Sequence, residues 1–203
     1  MKVKEYINKT KYFEFYIFNI DSNNSYYEDL IDVFSELIIN PLVITDSNHT
    51  IIISNEINSD ISETVKALTD DIGIDLKVFK SNKIYSNNFE YLNTLKKMYY
   101  KYENLINENF ITIKNLCTVI MEKNIDDITN IKPIIINKIL NDPKLYEIVN
   151  GMFMNDLNVS KTANYVYMHR NTINNKMIVI KEETGLDIQK FQEAVILYAL
   201  IKK

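Results

Sequence analysis

NVSKTANYVYMHRNTINNKM, residues 158–177, reads as two short helices joined at a tight corner. Asn158 or Ser160 suits the cap of a first helix containing Ala163 and Val166, because a short polar side chain satisfies the free amides of a first turn. A small residue such as Ala163 lets a second helix cross closely at a steep angle. The corner falls at Tyr167 and Met168. From about Arg170 to Ile180 a second helix buries Ile173, Met177 and Ile180 on one face. Helical geometry then turns Asn171, Asn175 and Ile178 outward, with Thr172, Asn174 and Lys176 on the flanks. This is the layout by which a helix-turn-helix lays one helix in the DNA major groove.

Downstream, Phe191, Val195, Tyr198 and Ile201 make an apolar last helix. Upstream, Leu145, Ile148, Val149, Met152 and Phe153 form a stripe on a helix begun by Pro143, with Met152 and Met154 as core fillers. DDITNIKP reads as a linker, since a proline disfavours helix at the preceding residue, Lys132.

Further back the periodicity changes. Tyr12 to Ile20, YFEFYIFNI, reads as a buried strand and DSNN as a turn. Leu30, Val33, Phe34, Leu37 and Ile38 give an amphipathic helix ending near Asn40, with Ser25 and Glu28 spaced as a capping box. LVIT and TIIIS around DSNH suggest a hairpin, with His49 exposed at its turn and without a catalytic partner. Ile61, Val65, Leu68 and Ile72 mark a helix over 59–72 closed by Gly73, and IDLKVF alternates as a strand. The order β-α-β-β-α-β predicts a ferredoxin-like sandwich, one sheet with helices on one face.

A helical pattern starts near Phe89. Apolar residues at Leu92, Tyr99, Ile106, Ile113 and Ile120, with Leu95, Tyr102 and Leu116 between them, follow a seven-residue spacing. That spacing suits either packing on the sheet or a dimer seam, and the β-branched Phe110–Ile113 cluster predicts a break near 107–113.

Composition excludes several classes of function. The chain has 203 residues, 46 % hydrophobic and 25 % charged, with three Gly and three Pro, so it has enough apolar material for a stable core. Net charge is −4, which argues against non-specific coating of nucleic acid. From Asp142 onward eight basic residues stand against seven acidic, so the C-terminal part is near neutral and the rest acidic. A lone Cys117 excludes an intrachain disulfide and reads as a buried thiol; two histidines far apart give no zinc cluster. No signal peptide or membrane span is expected, hence a cytoplasmic protein. No cofactor and no catalytic set is expected.

HRNT at 169–172, NVSKTA before it and ETGLD at 183–187 resemble the C-terminal DNA-binding domain of the PucR/CdaR family of bacterial regulators, over roughly residues 134–203. Tyr12 to about Asn104 resembles, more loosely, the GGDEF-like domain that precedes this module in the CdaR branch. The resemblance implies an α+β chain: a degenerate GGDEF-like α/β domain over 1–106, a helical linker over 107–133 and an all-α helix-turn-helix domain over 134–203, without an upstream sensor domain. It implies a dimeric transcriptional regulator on double-stranded DNA, with Ser160, Lys161, Arg170, Asn171, Thr172, Asn174, Asn175 and Lys176 as contacts. Two departures matter. The hairpin TDSNHT has no Gly-Gly and no metal-binding carboxylate pair, only Asp46, so nucleotide condensation is not expected. Arginines usual along the recognition helix are replaced by Asn174, Asn175, Lys176, Ile178 and Val179, which suits AT-rich DNA, since Asn pairs with adenine and Ile can touch a thymine methyl. The alternative is a helix-turn-helix kept only for protein interaction.

Overall fold

The computed structural model describes residues 2–20, 25–46, 49–56 and 60–203. The DSNN turn, Ser47 and Asn48 of the hairpin, and Ser59 at the expected helix start lie outside them. The chain forms two compact units, Met1–Leu116 and Cys117–Lys203.

The first unit runs α1 (Lys2–Ile7), β1 (Tyr12–Asn19), α2 (Tyr27–Leu37), β2 (Leu42–Asp46), β3 (His49–Ser54), α3 (Ser62–Lys66), β4 (Lys77–Lys80), β5 (Ile84–Tyr85), α4 (Glu90–Tyr102) and β6 (Phe110–Ile111). Helix α5 (Ile113–Lys123) leads into the second unit. Strand order is β2-β3-β1-β4-β6, with β5 also pairing β1. The β3, β1 and β4 pairings are antiparallel, and β6 joins β4 in parallel. The first four strands thus reproduce the expected ferredoxin-like order, in an α+β chain.

Layering departs from expectation. Six consecutive residues of β1, Phe13–Phe18, are buried, so the strand is covered on both faces. On one face Tyr16, Phe18, Ile52 and Val78 pack with Leu30, Phe34 and Ile38 from α2 and its end, and with Ile61 and Val65 from α3. On the other, Phe79 stacks on Tyr99 of α4 at 4.7 Å and meets Phe15 at 6.1 Å. Alternate side chains of one apolar strand feed two cores, and helices lie on both faces rather than one.

Four local expectations also change or are decided. Helix α2 begins at Tyr27 with Tyr26 at its cap and no side-chain cap bond, so the Ser25/Glu28 capping box is not made. The segment after α3 widens into a π-turn over Ala67–Asp71 before Gly73, whose φ of 76° is the left-handed stop foreseen for it. The heptad residues Leu92, Leu95, Tyr99, Tyr102, Ile106, Ile113, Leu116 and Ile120 are all buried within the chain, so they leave no seam for another copy. The break between α4 and α5 falls at 103–112, as β-branching indicated.

His49 is the fourth. Its ring is nearly enclosed rather than exposed: Nε2 lies 2.8 Å from Glu103 Oε2, and the ring stacks on Tyr100 at 4.2 Å. Asp46, opposite His49 in the hairpin register, is 2.8 Å from Lys96 Nζ and accepts from the Tyr100 hydroxyl at 3.0 Å. The lysine contact, aided by that hydroxyl, holds the Asp46 carboxyl below the usual carboxylate range. A depressed folded-state pKa adds stability above the unfolded value and loses it as pH falls through the folded value. Asp46→Asn is therefore expected to lower the melting temperature at neutral pH, with the gap to wild type closing between about pH 5 and 2 in pH-dependent melts.

The second unit is helical: α6 (Ile128–Ile135), α7 (Asn137–Leu140), α8 (Pro143–Met154), α9 (Val159–Tyr165), α10 (Arg170–Thr184) and α11 (Phe191–Lys202). Pro133 sits inside α6 instead of ending it. Ile128, Ile131, Ile134 and Ile135 are all buried there, and their transfer from water, about 1.5–3 kcal/mol each, offsets the proline's missing hydrogen bond. Met152 is buried as foreseen, but Met154 is 73 % exposed. Cys117 is fully buried, and burial pushes its thiol up, leaving it inert. Among the described residues no helix is long and apolar enough to cross a membrane.

Candidate nucleic-acid interface

The interface is built from α8 upward. Asp142 caps α8 by accepting from the amides of Lys144 and Leu145, with Pro143 at the first helical position. Leu145, Ile148, Val149 and Met152 face inward and are wholly buried. Helix α9 crosses α8 at Gly151, where a Cβ would lie 3.1 Å from both Thr162 Cγ2 and Val166 Cγ1. Thr162 Oγ1 donates to the Gly151 carbonyl at 3.2 Å across this contact. Sequence reasoning credited Ala163 alone with the close crossing. Ala163 is indeed buried, but the backbone approach depends on Gly151.

Asn158 caps α9 through its side-chain oxygen, which accepts from the Lys161 amide at 3.0 Å. After Tyr165 the chain turns sharply. Val166 donates to Thr162 O at 2.9 Å, Met168 donates to Ala163 O at 2.9 Å, and Tyr167 takes φ +54°. His169 then caps α10, its Nδ1 accepting from the Asn171 amide at 3.2 Å. At the far end Gly185, with φ 72°, closes α10 in the left-handed region. Thr184 Oγ1 donates to Ile180 O and accepts from the Leu186 amide, fixing the descent into α11.

Helix α10 buries Ile173, Met177 and Ile180, the stripe read from its spacing. Ser160 and Lys161 on α9 and Arg170, Asn171, Thr172 and Asn175 on α10 are exposed; Asn174 and Lys176, closer to the buried stripe, are half-buried. Ile178 is 57 % exposed. These residues share the corner and the outward side of α10, which nothing else in the second unit covers. From Asn158 to Lys181 the chain carries four cations and no carboxylate, although the protein as a whole is acidic. Lys181 is tied to Asp187 at 3.3 Å, whereas Lys161, Arg170 and Lys176 have no ion-pair partner among the described residues. The face is therefore mildly positive and rich in amides. Two exposed aromatics at the corner, Tyr165 and Tyr167, were missed. The available signal was the absence of glycine between Gly151 and Gly185, which obliges a residue with a side chain to make the left-handed turn.

Two helices at a tight corner, the second exposed along its length and seated on a helical core, define a helix-turn-helix module. The particular kind follows from comparison: residues 145–202 match the PucR C-terminal helix-turn-helix domain, a likeness that supports a role in transcription regulation. Among solved structures, the chain is similar to a regulator of polyketide synthase expression from Bifidobacterium adolescentis, with 12 % identity and a TM-score of 0.42 over 94 % of this chain and 80 % of that one. No curated protein matches the chain.

Proposed function

We propose that the protein is a DNA-binding transcriptional regulator that docks α10 in the major groove as a homodimer and prefers AT-rich sites. The observation that carries this reading is the uncovered, carboxylate-free face of Ser160, Lys161, Arg170, Asn171, Thr172, Asn174, Asn175 and Lys176 in a PucR-type module. Asn171 and Asn175, one helical turn apart and both exposed, can each offer paired hydrogen bonds to an adenine edge, and Ile178 can meet a thymine methyl. Lys161, Arg170 and Lys176 supply phosphate contacts.

Few cations set the salt dependence. Two copies neutralise on the order of six phosphates, so log affinity should fall with log salt at a slope of roughly −5 or shallower. Asn171→Ala or Asn175→Ala should each remove about 1–3 kcal/mol of preference for AT-rich over GC-rich duplexes, whereas Lys161→Ala should weaken both alike. Titration of these variants on both duplexes decides it. Wild type without sequence preference at low salt leaves the protein-interaction module as the better account.

Dimerisation supports a helix this poor in charge, because two linked half-site contacts raise affinity without new chemistry. The exposed Phe191, Val195 and Tyr198 of α11 are its candidate surface, while Ile201 is largely buried. Light scattering at tens of micromolar is expected to give a dimer; a monomer removes this part of the reading. Turnover of nucleotides is not expected, since the hairpin's one carboxylate, Asp46, is engaged by Lys96 and Tyr100.

A further inference from the structure

Four residues other than glycine have positive φ among those described: Asn40, Asp156, Leu157 and Tyr167. Asn and Asp tolerate the left-handed region, because their short polar side chains hydrogen-bond locally. Leu157 is half-buried and lines an apolar pocket with Phe153, Phe191 and Tyr198, so its side chain has an apolar setting. Tyr167 has neither excuse. It carries a bulky ring at φ +54° and is 97 % exposed, more than any other large apolar or aromatic side chain described. The strained turn is imposed by the corner, where Met168 must donate to Ala163 O. Folding alone would be served as well or better by glycine at this position, yet a large phenol side chain is presented there, three residues before Arg170.

We propose that Tyr167 is a neutral contact to the DNA backbone, its phenol hydroxyl donating to a phosphate oxygen beside the groove that receives α10. This rests on the DNA-binding reading above and adds a residue to that site. Tyrosine is a known donor to phosphate, and such contacts fix register without reading bases. A neutral donor also suits this face: its anchoring does not depend on counterion release, so it persists where three cations per copy lose their grip with salt.

The test uses the full-length chain and an AT-rich and a GC-rich duplex, titrated by fluorescence anisotropy over a series of potassium chloride concentrations, alongside thermal melts. Tyr167→Phe, which removes only the hydroxyl, should weaken binding to both duplexes by about tenfold with the salt slope unchanged. Lys161→Ala should instead make the slope shallower by roughly one per copy. Tyr167→Gly should weaken binding at least as much while the melting temperature stays level or rises, which separates lost contact from lost fold. Wild-type binding with Tyr167→Phe unaffected overturns this inference and leaves DNA binding intact. A steeper or shallower slope in Tyr167→Phe also overturns it. Absence of binding by the wild type overturns both.

Discussion

Ile180→Ala is expected to cost the second unit about 2–5 kcal/mol, the range for deleting a wholly buried branched side chain whose neighbours relax only in part. Ile180 closes the inward stripe of α10 with Ile173 and Met177, and its carbonyl accepts from Thr184 Oγ1, so the cavity opens beside the turn that leads to α11. A unit of this size has about 5–15 kcal/mol in total and shifts by about 4–8 °C per kcal/mol. The melting temperature of the second unit should therefore fall by about eight degrees or more. Two residues away, Ile178→Ala removes a side chain that is 57 % exposed and should move stability by no more than about 0.5 kcal/mol. Differential scanning calorimetry of the pair checks both. Equal melting temperatures would mean that α10 packs by another face.

Gly151→Val should be nearly as damaging, at about 1–3 kcal/mol, because the crossing of α8 and α9 has no room for a branched side chain. A single Cβ would already stand 3.1 Å from methyl groups of Thr162 and Val166, and valine adds two more carbons against them. Alanine is the informative intermediate. Its better helix propensity, about 1 kcal/mol over glycine, opposes the crowding of one methyl group, so Gly151→Ala should be close to neutral. Because α9 bears Lys161 and holds the corner before α10, the valine variant is also expected to lose DNA affinity at temperatures where it remains folded. Urea denaturation of the three proteins gives the order glycine, alanine and valine; a valine variant as stable as wild type would show that α9 can shift freely on α8.

The elements most legible in the sequence were those whose signal is local. Inward positions on α10 follow from a 3.6-residue repeat, and Ile173, Met177 and Ile180 are buried where that repeat puts them. Gly73 was readable as a helix stop because few residues accept a left-handed backbone, and its φ is positive. Asn158 was readable as a cap for the same kind of reason, and its side chain accepts from the Lys161 amide. The outward residues of the candidate site follow at once from the inward ones, since a helix has only one other side.

Less legible was anything that depended on what lay opposite. The seven-residue stripe from Leu92 to Ile120 suited a sheet face first and a dimer seam second, because an apolar stripe carries no label for its partner; the tertiary fold buried it in the chain. Pro133 was read by its backbone rule, but four isoleucines buried around it outweigh one missing hydrogen bond. His49 looked exposed from its place at a hairpin turn, and only the arrival of Glu103 and Tyr100, some fifty residues away, enclosed it. By itself, then, the sequence determined the inward stripe of α10, the Asn158 cap, the Gly73 stop and the outward amides of α10, because these depend on contacts within a few residues. Tertiary structure decided that both faces of β1 are covered, that Gly151 sets the approach of α9, and that Tyr167 stands strained and bare at the corner, because each is a property of distant segments meeting in space.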